Sequence, residues 1–365
     1  MKKVMQKFRR YAASKPGRDT LISFGIVIVA FIVMQVLLSL GMVSSLLESL
    51  LVPICAYIVM AVSLNLTVGI LGELSLGHAG FMSVGAFAGV VASTYLADAV
   101  AFEPLRLAIA IVIGGICAAI AGVIVGVPVL RLKGDYLAIV TLAFGEIIKN
   151  IVNVLYIGMD SNGLHFSLLQ QSFELAEGGE MIINGPMGVS GVSRLASFTS
   201  GFVLVLITLF LILNLINSRA GRAIMSVRDN KIAADSIGIS TTRYKLMAFV
   251  ISAAFAGMAG TLYGLNYTTI TATKFDFNTS ILILVFVVLG GLGNIWGSII
   301  AAALLTVLPE MLREVGDYRM LIYAILLIVM MLFNNSSLKQ RILEKRGMKQ
   351  MEKLEKAEQS GKEGA

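Results

Sequence analysis

Three stretches of this 365-residue chain place side chains able to do chemistry within an otherwise apolar sequence. In the first, Gly69–Gly89, the polar groups Glu73, Ser75 and His78 stand among repeated glycines. Glycine lets a helix break and lets backbones approach closely. Polar groups in apolar surroundings are costly unless they meet water, a partner or a solute. The stretch reads either as a break lining a solute pathway or as a plain helix start, with Ser75 as cap and Glu73 in water. The residues alone favour the second reading.

In the second stretch, Arg131–Asn150, Glu146 and Lys149 lie three apart, share a helix face and can pair. The pair reads as a gate or proton site, or as a packing device near a span end, and the latter is preferred. The third stretch, Asn217–Lys245, is basic. Its Ala223, Val227, Ala234 and Ile237 fall at helical spacing, which predicts one amphipathic helix over Ala220–Ile237 capped by Gly238. Such a helix suits a groove on another protein, or else a bed of anionic lipid. The stripe is rich in small residues and lacks Trp and Phe, which favours the protein groove.

No phosphate-cradling G-x-x-x-x-G-K-[ST] loop, nucleophile elbow or H-E-x-x-H motif occurs, so neither an ATP site of that type nor an enzyme is expected. Two histidines, His78 and His165, and two cysteines inside apolar runs, Cys55 and Cys117, imply no metal site and no disulfide framework. No cofactor and no nucleic-acid partner are expected.

The elements that must position these groups are apolar. Hydrophobic residues make up 57% of the chain, charged residues 14%, and the mean hydropathy is +0.86. A soluble domain carries about a quarter charged residues. Leu21–Met42, Leu107–Leu130, Phe202–Ile216, Leu246–Leu265 and Met320–Phe333 are continuous apolar runs approaching or reaching the ~20 residues of a spanning helix. They are continuous rather than alternating, so strands are not expected. Leu21–Met42 follows a basic stretch but is long and lacks a small-x-small cleavage site, so it reads as a retained span.

Charge fixes the expected topology. Of the 29 Lys and Arg residues, 23 fall in Met1–Asp19, Arg131–Lys133, Ser218–Lys245 and Leu338–Ala365, while the other connections are acidic. The positive-inside rule puts the basic segments in the cytoplasm. Spans at 21–42, 46–68, 78–97, 106–130, 136–156, 200–217, 244–266 and 318–334 then alternate, provided that Ser280–Leu312 begins and ends outside. Gly290, Gly291 and Gly293 break that stretch into two short half-helices. Broken backbone is tolerated at membrane depth only beside protein or a water-filled cavity, which places the pair against the pathway.

The expected fold is all-α: a polytopic membrane helical bundle of eight spans plus the glycine-broken pair, hence eight or ten crossings. Its expected parts are a basic cytoplasmic N-terminus (1–19), a transmembrane domain (20–335) and a charged cytoplasmic tail (336–365). Within the domain lie an extracytoplasmic loop (157–199) and a cytoplasmic loop (218–243). Ala110–Gly126 and Ala248–Gly264 also align without gaps. This is either an inverted repeat, as in many transporters, or two small-residue packing faces.

Several motifs occur together and in order between Pro53 and Phe333. They are Leu74-Ser75-Leu76-Gly77-His78-Ala79, Gly85-Ala86-Phe87, Arg131-Leu132-Lys133-Gly134, and the run Ala138–Ile147. Asn184-Gly185-Pro186-Met187-Gly188-Val189, Arg228-Asp229, Ala233-Ala234, Gly238-Ile239, Thr242-Arg243-Tyr244-Lys245 and Gly290-Gly291-Leu292-Gly293 follow. In this the chain resembles the permeases of branched-chain amino-acid ABC transporters, specifically the LivM-type subunit. The resemblance implies a bacterial inner-membrane importer subunit for branched-chain or related hydrophobic amino acids. It implies as partners a second, similar permease, two cytosolic ABC ATPases and an extracytoplasmic binding protein. It also implies ATPase docking through the segment containing Arg222, Arg228, Asp229, Ala233, Ala234 and Gly238. Ala233-Ala234-x-x-x-Gly238 echoes the E-A-A-x-x-x-G loop of ABC importers, with Ile232 in place of its Glu. The family often carries Gln where Glu73 stands, implying a polar rather than charged role there, and 157–183 looks like an insertion in a surface loop. The alternative function is a secondary amino-acid transporter that uses Glu146 and works without ATPases. A purely structural membrane scaffold would explain neither the basic loop nor the glycine-broken helices.

Overall fold

A computed structural model describes residues 15–42, 44–97, 99–132, 134–160, 163–170, 179–312, 316 and 318–334. Most of the expected basic N-terminus and the whole charged tail lie outside the described residues. The chain forms two compact units, residues 1–307 and 308–365. The helices of the first unit are α1 (Lys15–Ser39), α2 (Ser45–Asn65), α3 (His78–Tyr95), α4 (Glu103–Val129), α5 (Asp135–Asn153), α6 (Phe198–Asn217), α7 (Arg219–Asp229), α8 (Lys231–Ser236), α9 (Thr241–Gly264) and α10 (Phe277–Gly290). Helix α11 (Ile295–Met311) begins in the first unit and its last four residues fall in the second, to which α12 (Arg319–Asn334) belongs.

Five described stretches are long and apolar enough to cross a bilayer: Ser45–Ile70, Glu103–Val129, Phe198–Asn217, Thr241–Gly264 and Ala272–Gly290. Helix is also present in the other expected regions, but the expected count of eight does not follow from length and apolarity. Helix α3 ends at Tyr95 and opens on His78, and α5 carries Asp135, Glu146 and Lys149. Local signals set several boundaries. Ser44 caps α2, Ser197 and Ser200 form a capping box at α6, Ser218 caps α7, and Asp276 accepts from the Thr279 N–H at the start of α10.

Helix α9 is the centre of the bundle, with α3, α4 and α2 around it. Small residues make this possible. A Cβ on Gly85 would overlap the Gly257 backbone, and one on Gly260 would overlap the Met82 carbonyl. The Thr261 hydroxyl crosses the seam to donate to the Gly85 carbonyl at 2.8 Å. Helices α4 and α9 pack antiparallel: Gly114 meets Thr261, Gly122 meets Ala253, and Gly126 meets Leu246 and Phe249. The two segments that align in sequence are therefore each other's packing partners, and their shared small residues form the contact.

The expectation of an all-α fold needs correction. Leu155–Asp160, Gly163–Leu168, Glu180–Asn184, Val189–Ser190 and Thr269–Ile270 form β1 to β5 of an antiparallel sheet ordered β2-β1-β3-β4-β5. The span expected over 136–156 thus ends as helix at Asn153. Within 157–183 the described residues form strands, which pair through β3 and β4 to β5, just after α9. Ile182, Ile183, Val189 and Ile270 are buried, which gives the sheet its apolar anchor.

The glycine break falls where the sequence places it. Helix α10 ends at Gly290 and α11 begins at Ile295, with Gly291 at φ +95° and Gly293 at φ +79°, in the left-handed region. At 14 and 17 residues, the two helices are about 21 and 26 Å long, so α10 approaches the ~30 Å hydrocarbon core only together with the 3-10 turn Ala272–Lys274 before it.

Candidate functional site

Helix α2 does not end as a regular helix. Leu66–Ile70 forms a π-helical turn, an uncommon device that concentrates at functional sites. Non-helical chain follows from Gly72 to Gly77 before α3 starts at His78. Groups on other helices satisfy the freed backbone here. The Leu76 N–H donates to Thr141 Oγ1 of α5 at 3.0 Å, and the Ala79 N–H donates to Ser280 Oγ of α10 at 3.1 Å. His78 Nε2 lies 2.9 Å from Ser63 Oγ, and Ser252 of α9 donates to the Ser63 carbonyl. The first turn of α3 thus sits level with the middle of α9, deep in the bundle.

Sequence reading offered Ser75 as the helix cap; the structure places Gly77 at that position, with Ser280 supplying the acceptor. Ser75 is buried and its hydroxyl has no hydrogen-bond partner. Glu73 is not in open water either. It forms an ion pair with Lys245 near the start of α9, at side-chain exposures of 14% and 10%. The structure thus gives the Glu73 carboxylate a basic partner that lies far from it in the sequence.

The π-turn and the glycine break touch. Asn65 is fully buried between them. Its Oδ1 accepts from the Gly293 N–H at 2.8 Å, and its Nδ2 donates to Ser298 Oγ of α11 at 2.9 Å. Ser298 Oγ in turn donates to the Asn294 carbonyl at 3.1 Å. A Cβ on Gly69 would overlap both the Asn65 amide and the Gly293 nitrogen, so only glycine permits this approach. Gly290 likewise abuts Gly297. Gly290, Gly291 and Gly293 are conspicuous in the sequence, whereas Asn65 and Ser298 are not. The available signal was an amide inside the apolar run Leu51–Leu71.

The basic segment sits on the same junction. The Arg228 guanidinium donates to the Gly69 carbonyl at 3.3 Å and also pairs with Asp229. Ile224 of α7 is buried in one cluster with Leu66, Ile70, Leu71 and Ala248. The single helix expected over Ala220–Ile237 is in fact two, because Asn230 leaves helical geometry and caps α8 through its side chain. Gly238 does close the segment, at φ +84°. The apolar stripe is also divided. Val227 and Ala234 (2% exposed) face the chain's own interior, whereas Ile232 (79%), Ala233 and Ile237 (75%) face outward with Arg222 and Asp229. Ala234, expected on the outer face, is not available there.

Glu146 and Lys149 pair as their spacing predicts. With Leu76, Gly80, Asp276 and Ser280, Glu146 lines a small crevice between α3, α5 and α10. The structure does not bring Glu146 to the Asn65 junction.

Over residues 46–333 the chain matches the family described as the permease component of branched-chain amino acid transport systems. It is 37% identical over 292 residues to the high-affinity branched-chain amino acid transport system permease protein LivM of Escherichia coli, covering 77% of this chain and 67% of that protein. The LivM protein of Salmonella typhimurium matches to the same extent. The permease protein BraD of Pseudomonas aeruginosa, also of a high-affinity branched-chain amino acid system, is 27% identical over 284 residues, covering 76% of this chain and 89% of the relative. No solved structure matches the chain significantly. A match over most of the chain, apolar helices long enough to span a bilayer and two interrupted helices meeting inside the bundle lead to one conclusion: the chain belongs to the branched-chain amino acid transport permease family.

Proposed function

We propose that this chain is the pathway-forming subunit of an ATP-driven importer for branched-chain or related hydrophobic amino acids in a bacterial inner membrane. It works with a second, similar permease, two cytosolic ATPases and an extracytoplasmic binding protein, and both its termini are cytoplasmic. Glu73, Ser75, His78 and the two helix breaks lie along the pathway. The observation that carries the reading is α7–α8, a basic helical pair that turns Ile232 and Ile237 outward while its inner face rests on the π-turn of α2. Two isoleucines at 79% and 75% exposure amid charged groups form a natural anchor for a protein groove.

The docking test uses Ile237→Asp. A charge there meets water in the free chain but an apolar pocket in the complex, and burying an unpaired charge costs several kcal/mol. The variant is expected to reach the membrane and keep its thermal stability, yet to lose the co-purifying ATPases and at least nine-tenths of uptake, an effect on the order of 1.4 kcal/mol or more. Normal ATPase recovery with normal uptake would place the docking element elsewhere. Uptake that persists without any ATPase would favour the secondary-transporter alternative.

Topology has its own test. In a background with Cys55 and Cys117 replaced by Ala, Lys274→Cys, on the α9–α10 connection, is expected to react with an impermeant thiol reagent in intact cells. Ile237→Cys is expected to react only after the cells are opened. The reverse pattern would invert the assignment of sides.

A further inference from the structure

The two broken helices are joined to the outward segment by one unbroken set of contacts. Arg228 of α7 donates to the Gly69 carbonyl. That carbonyl belongs to the π-turn, where the regular helical register has been lost, and the cation supplies a donor from outside the helix. Gly69 lies directly against Asn65 and Gly293. Asn65 then holds Gly293 and Ser298 with the two ends of a single amide. An Asn amide is rigid, and here both its donor and its acceptor face the α10–α11 break. Moving the π-turn while the break stays fixed would strand buried hydrogen-bonding groups, which is the costly outcome for such groups. The two breaks are therefore constrained to move together, and Arg228 is the polar handle that reaches them from α7.

We infer that Arg228, Gly69 and Asn65 form one coupling unit, with Asn65 as a positioning residue that transmits movement of the α7–α8 segment to the break between α10 and α11. The inference deepens the reading of this chain as an ATPase-driven permease and rests on it for the source of movement. Coupling of this kind is a free energy shared between residues.

A double-mutant cycle tests it. Arg228→Met removes the handle. Ser298→Ala removes one of the two bonds of Asn65 with little change of shape, and Asn65→Leu removes both. The full transporter is reconstituted in liposomes, and ATP hydrolysed per solute imported is measured alongside ATPase co-purification. Each single variant is expected to retain its ATPases and raise that ratio about tenfold, within the usual range of coupling between sites. The Arg228→Met/Ser298→Ala double variant is expected to be no worse than the worse single. Ratios that multiply would overturn the unit, as would an unchanged ratio in Ser298→Ala and Asn65→Leu. Loss of the ATPases from Arg228→Met, with a normal ratio in Ser298→Ala, would assign Arg228 to docking alone and also overturn it. The same cycle read as thermal stability of the isolated permease requires no ATPase and is expected to be non-additive as well. Uptake without ATPases would refute the functional reading. An additive stability cycle would refute the coupling unit, and the two failures are thereby told apart.

Discussion

Lys245→Met is expected to lower the stability of the purified protein by ~3–5 kcal/mol, the usual cost of removing one partner from a buried ion pair. Lys245 and Glu73 have side-chain exposures of only 10% and 14%, and their side chains form an ion pair. Removing the ammonium leaves a carboxylate in the interior with neither its countercharge nor bulk water. Glu73→Gln is expected to be costly for the mirror reason. The double variant Glu73→Gln/Lys245→Met buries no charge and is expected to recover to within about 1–2 kcal/mol of the native protein, since a buried pair exchanged for uncharged groups of similar volume is often neutral. Asp229→Asn provides the contrast. The Arg228–Asp229 pair has side-chain exposures of 38% and 66%, and its loss is expected to cost no more than about 1 kcal/mol. Thermal unfolding in detergent reads all four variants. A double variant as unstable as Lys245→Met would mean that the pair does not stabilise through its charges.

This ion pair marks a limit of what the sequence discloses. Glu73 stood out as a carboxylate in a glycine-rich stretch, but its partner lies 172 residues away, in a segment that reads simply as basic. Local spacing exposes pairs such as Glu146 and Lys149, three residues apart on one helix, and cannot expose a pairing set by tertiary packing. The helices were legible because continuous apolar runs have few alternatives, and the α10–α11 break because two glycines at positive φ stand in one such run. The sheet was hidden for the opposite reason. Its strands are two to six residues long and lie between helices whose apolar signal dominates any window. Asn65 was overlooked because one amide barely alters the hydropathy of its run, although its two hydrogen bonds define the junction.

Gly85→Val is expected to prevent the bundle from assembling, an effect larger than that of any polar substitution above. The reason lies at the centre of the fold, where α3 and α9 meet with no side chain between them. A Cβ at Gly85 would overlap the carbonyl, Cα and carbonyl carbon of Gly257, all of them backbone atoms. A flexible side chain could turn aside from such an intrusion, but a helix backbone relieves it only by moving as a whole. Moving α9 away from α3 would also break the Thr261 to Gly85 hydrogen bond and open the Gly260–Met82 contact. Overpacking that side chains can absorb costs ~1–3 kcal/mol. Here nothing can absorb it, and a membrane helix bundle has little hydrophobic drive to compensate for lost packing. Gly85→Val is therefore expected to be recovered poorly and as aggregate after detergent extraction. Gly25→Ala serves as control. Gly25 lies in α1 with open space around its missing Cβ, and Ala in a helix interior is favoured over Gly by ~1 kcal/mol, so that variant is expected to be recovered at native yield or better. Monodisperse Gly85→Val at native yield would mean that α3 and α9 do not pack backbone to backbone at this level.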